Sequence, residues 1–168
     1  MWHNSLIALH TISGLAALVA GCVALRRGDL FRTYEWSLAG TILFVALAVG
    51  VDWAELDTPT RALFAALGAL GAFMVWRAEQ ARRLRPVGSD GPSARYVDHV
   101  GFTLVALFDA FVVIAVLDLG GPGWLVAAVG VIVAIVGHFV LVAVRDRLVP
   151  AAQAQRRQRR RGVSGPPR

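Results

Sequence analysis

Trp124-Leu-Val-Ala-Ala-Val-Gly-Val-Ile-Val-Ala-Ile-Val-Gly-His-Phe-Val-Leu-Val-Ala-Val144 runs for 21 residues without a charge before Arg145 ends it. At 1.5 Å of rise per residue such a helix is about 31 Å long, which matches the hydrocarbon thickness of a bilayer. Working back toward the N-terminus, four more stretches have the same character: residues 96–119, 60–76, 36–56 and 5–25. The third in chain order, 60–76, is the shortest. Arg61 and Arg77 bracket it, and their long side chains are expected to snorkel to the interfaces and let a short span fit.

The arginines sort onto one side of these spans. Arg26, Arg27 and Arg32 follow the first; Arg77, Arg82, Arg83, Arg85 and Arg95 lie between the third and fourth; Arg145, Arg147 and the C-terminal run follow the fifth. The other side holds an N-terminal segment without arginine, the acidic loop of Asp52, Glu55 and Asp57 with Arg61 alone, and the short turn 118–123. By the positive-inside rule the arginine side is cytoplasmic, the N-terminus is outside and the number of spans is odd. Trp2, Trp53 and Trp124 then mark the outer interface, and Trp36 and Trp76, with Tyr34 and Tyr96, the inner one.

Composition agrees with a membrane class and narrows the chemistry. Of 168 residues 57% are hydrophobic and 17% charged, and mean hydropathy is +0.60, outside the range of ordinary soluble domains. The net charge of +6 is carried by arginine alone, and the absence of lysine removes P-loop nucleotide chemistry and Schiff-base catalysis. The basic groups sit beside apolar spans, so their partner is anionic lipid and not nucleic acid. Cys22 is the single cysteine, which excludes an intramolecular disulfide and cysteine-pair metal motifs. Val19, Ala20, Gly21 and Cys22 spell a lipoprotein-like box, but Arg26 and Arg27 come after the apolar run, a polarity reversed from that of an export signal. The first stretch is therefore read as a span. No zinc-protease pair, nucleophile elbow or dinucleotide fingerprint is present, and Ser89, in Gly-Ser-Asp-Gly, belongs to a turn in the loop 85–92. The chain is read as non-enzymatic.

Polar residues inside spans are the functional candidates, since each costs several kcal/mol unless paired or hydrated. Measured from the cytoplasmic arginines, His10 and Asp109 lie at depths of ~24 and ~21 Å, and His138 and His99 at ~10 and ~6 Å. Two levels follow. His10 and Asp109 form an intramembrane polar centre that shares a proton or locks the first helix to the fourth. His99 and His138, on helices joined by the tight turn 120–123, form the ligand pair of a b-type haem in an alternative reading. An outer cation site from His3, Asp52, Glu55 and Asp57 has no specific ligand spacing. Glu35 is expected to pair with a nearby arginine such as Arg32. In the first helix His10, Gly14, Ala17 and Gly21 share a face suited to close helix packing.

The run His10-Thr-Ile-Ser-Gly14, continuing through Ala20-Gly21 to Arg26-Arg27-Gly28, resembles the first span of small uncharacterised polytopic membrane proteins of bacteria, actinobacteria among them. Those carry a His-x-x-x-Gly helix, a basic-Gly turn and a His-Arg pair opening the second span; Phe31-Arg32 stands in the pair's place here. The resemblance covers about a quarter of the chain and lends no activity.

The expectation is an all-α integral membrane bundle of five transmembrane helices over 1–149, N-terminus outside and C-terminus cytoplasmic, in a bacterial inner membrane, with a basic disordered tail over 150–168. The arginines of 156–161 would hold anionic headgroups at about 1 kcal/mol each. The expected role is a small-solute transport component or a subunit of a membrane complex or homo-oligomer. The alternatives are a haem b electron carrier and a purely structural subunit.

Overall fold

The computed structural model describes residues 2–86 and 91–163, and the regular elements among them are all α-helices. They are α1 (Trp2–Arg27), α2 (Phe31–Asp52), α3 (Thr58–Arg83), α4 (Ala94–Asp118) and α5 (Gly123–Val163). Each contains a segment long and apolar enough to cross a membrane. The chain is a multi-pass membrane protein of all-α class, with the five spans that apolar length predicts.

The ends of the helices differ from expectation for local reasons. α1 stops at Gly28, whose φ of 74° is a conformation that L side chains avoid, and its N–H closes the last turn on the carbonyl of Ala24 at 2.8 Å. α2 starts earlier than residue 36, because Phe31 and Tyr34 are buried and pull the first turn into the bundle. It ends at Asp52, not 56, where the Glu55 N–H turns back to the Asp52 carbonyl at 2.9 Å. Asp57 then caps α3, accepting from the Thr60 N–H at 3.1 Å, with a proline in the first turn. The Arg61 guanidinium donates to the carbonyls of Trp53 and Ala54 at 3.1 and 3.0 Å, groups that the end of α2 leaves without helical partners.

The tail is the largest correction. Residues 150–163, expected to be disordered, continue α5 as helix through Pro150, because the Ala, Gln and Arg that follow are strong helix formers. Residues 164–168 lie outside the described residues, as do Val87 to Asp90 with the Ser89 turn.

α1 packs along α2, α2 against α3, α3 against α4, and α4 back against α1, so four helices close a ring; α5 packs on α4 from outside. The core lies at the arginine-rich end. Ala17, Ala20 and Ala24 of α1 and Ala78 and Ala81 of α3 are small enough to admit Phe31, Tyr34 and Tyr96, all buried. Phe31 packs between Tyr34 and Tyr96 with tilted rings, centroids 5.5 and 6.1 Å away. The Tyr96 hydroxyl donates to the Ala24 carbonyl at 2.8 Å. Among the described tryptophan side chains, Trp36, Trp53, Trp76 and Trp124 are exposed on the bundle surface, where a tryptophan meets an interface.

Candidate functional site in the seam between α4 and α5

α4 divides its faces among three neighbours. Leu104 and Phe111 look toward α1, where a β-carbon on Gly21 or Gly14 would come within 2.6 Å of them. Phe102 and His99 look toward α3, next to Phe73 and Trp76. Asp98, Gly101, Val105 and Asp109 form the stripe against α5. In antiparallel order Asp98 meets Arg145 at 3.4 Å, Leu141 fills the space over Gly101, Val105 fills that over Gly137, and Asp109 lies beside Gly130. Two glycines, one from each helix, let the backbones approach between the two carboxylates.

Asp109 is the group this seam leaves unsatisfied. Its Oδ1 is buried and has no hydrogen-bond partner among the described residues, and Gly130 opposite carries no side chain to supply one. An ionised carboxylate at mid-span costs several kcal/mol unless it is paired, hydrated or protonated. The charge of Asp109 is therefore one that the packing of this seam leaves uncompensated.

His10 is not its partner. The two were expected at one depth, but depth along a helix fixes no rotation about it: the imidazole Nδ1–H donates to the Thr41 carbonyl of α2 at 2.9 Å, while Asp109 faces α5. Thr41 in turn donates to the Ser37 carbonyl at 2.8 Å. His10 is a polar lock between α1 and α2.

The lower pair is also separated. His99 sets its ring edge-on to Trp76 of α3, 6.5 Å between centroids, and His138 stands on an exposed face of α5 beside Phe139 at 5.9 Å. In the register of the seam His99 lies opposite residue 143, so the two imidazoles are ~7.5 Å apart along the axis and turned to different neighbours. Bis-histidine ligation needs facing imidazoles, and the residues present do not fit a haem b in a single copy.

Sequence reasoning missed Asp98 and its two arginines as a functional group. Arg77 donates to the Asp98 carbonyl at 2.7 Å and lies over the Phe102 ring at 4.8 Å, and Arg145 pairs with the Asp98 carboxylate. Both arginines had been read as topology signals. The signal available was the spacing of Asp98 and Asp109, three helical turns apart on one stripe. Glu35 likewise meets Arg82 of α3 at 3.7 Å instead of Arg32. On the acidic loop, the hydrogen bonds from Thr60 hold the Asp57 carboxyl below the usual carboxylate range. That is the work of a helix cap. No group of three or more metal-ligating side chains occurs among the described residues, and the His3 side chain lies outside them. No family model, curated protein or solved structure matches the chain.

Proposed function

We propose that the chain is a non-enzymatic transport component of the bacterial cytoplasmic membrane, N-terminus outside and C-terminus inside, in which Asp109 takes up and releases a proton or a small cationic solute at the α4–α5 seam. The observation that carries the reading is the buried, unpartnered carboxylate oxygen in the middle of a span. α5 supports it, since its span buries no residue of its most apolar stretch and it packs on α4 from outside the ring. The basic end of α5 holds anionic lipid headgroups on the cytoplasmic side.

Proteoliposomes loaded with a pH-sensitive dye test this. The wild type is expected to dissipate an imposed proton gradient, Asp109→Glu to retain part of that flux, and Asp109→Asn to fall at least tenfold to the protein-free rate. Equal flux through wild type and Asp109→Asn would remove the carboxylate from the mechanism. The bare faces of α5 favour a second reading, a subunit of a larger membrane assembly. A silent wild type that migrates in native gels of its own membrane well above its 18.0 kDa mass is the result that reading expects.

A further inference from the structure

Beside the seam, α1, α4 and α5 leave an open apolar groove of about 470 Å³, walled by Cys22 and Leu25 of α1, Leu104 and Phe108 of α4, and Val136 and Val140 of α5. Along α5 it extends from Ile132 to Val144, 12 residues or ~18 Å of helix, slightly more than the ~15 Å of one leaflet's hydrocarbon. It ends at the arginine-rich end of the bundle. There Arg26 follows Leu25 and lies one turn beyond Cys22, exposed, and Arg145 follows Val144 and lies one turn beyond Leu141, with 36% of its side chain accessible. The Asp98 carboxylate takes up part of the Arg145 charge, and Asp146, 3.6 Å from the Arg145 Nε, faces the same headgroup layer. Arg26 forms no ion pair among the described residues.

We infer that the groove is a binding site for one anionic phospholipid of the leaflet at the arginine-rich end, its acyl chain between α1, α4 and α5 and its phosphate between Arg26 and Arg145. The length of the groove sets the chain, and the two cations at its mouth set the charge. An apolar surface alone would take any tail; a cationic mouth selects the headgroup. The site stands apart from the role of Asp109 and holds whether or not the protein conducts protons.

Native mass spectrometry of the full chain, purified in mild detergent and offered equal phosphatidylglycerol and phosphatidylcholine, tests the inference. The wild type is expected to retain one phosphatidylglycerol at least fivefold over phosphatidylcholine. Cys22→Trp fills the groove and abolishes the retained lipid, whereas Ile12→Trp, exposed on the same helix and nearly three turns from Cys22, leaves it. Arg26→Gln, on the surface and outside the core, keeps a bound lipid but brings the two headgroups to parity. Equal retention of both lipids by wild type, retention undiminished in Cys22→Trp, or a lipid-free dimer occupying the groove with a second copy would each overturn it.

Discussion

Tyr34, fully buried on α2, reaches Thr103 of α4 with its hydroxyl, and the Thr103 hydroxyl donates a hydrogen bond to the Val100 carbonyl at 2.7 Å. The direction of this relay makes its two members unequal. Removing the tyrosine hydroxyl leaves Thr103 still donating, whereas removing the threonine hydroxyl strands a buried phenol. Unfolding in mixed detergent is thus expected to cost about 1 kcal/mol for Tyr34→Phe and about 1–3 kcal/mol for Thr103→Val; the reverse order would mean that the relay runs the other way. None of this was legible beforehand. Tyr34 reads as an interface aromatic by its place beside Trp36, and only the rotation of α2 turns it inward while Trp36 stays exposed. His10 failed in the same way, since its depth was readable and its azimuth was not.

At the scale of elements, apolar length gave all five spans, because a bilayer imposes that length whatever the packing. Facing was hidden by the same cause: lipid accepts apolar residues on every side of a helix, so the spans carry little of the two-faced periodicity that points a soluble helix inward. The exceptions are places where polar or very small residues interrupt the pattern. Helical spacing puts Asp98, Phe102, Val105 and Asp109 on one stripe, but that Phe102 turns to α3 while Gly101, Gly137 and Arg145 complete the seam needed the antiparallel register of α5. That register has a direct test. A β-carbon on Gly101 would collide with Leu141, so Gly101→Ala is expected to destabilise by about 1–3 kcal/mol through overpacking. Adding Leu141→Ala removes the clashing methyls, and the pair should be more stable than Gly101→Ala alone. A strictly additive double variant would place some other residue over Gly101. The helical extension of α5 past Pro150 was missed for a plainer reason: a basic tail was expected to be disordered, although its Ala, Gln and Arg residues favour helix.

For the whole molecule, the closed ring of α1 to α4 and the outlying α5 divide the protein into a packed frame and a helix free on most of its circumference. The frame is tightest at its arginine-rich end, where the alanines and tyrosines sit, and Asp109 lies beyond that core on the side of α5. All of it depends on five crossings with opposite ends on opposite sides of the membrane. The test is accessibility of single cysteines to a membrane-impermeant maleimide in intact cells, in a background of Cys22→Ala, with the new cysteine at Glu55 or at Gln155. The account predicts labelling at Glu55 in intact cells and labelling at Gln155 only after the membrane is opened. Equal labelling of both positions in intact cells would contradict it, because an even number of crossings would then lie between them, where the spans of α3, α4 and α5 make three.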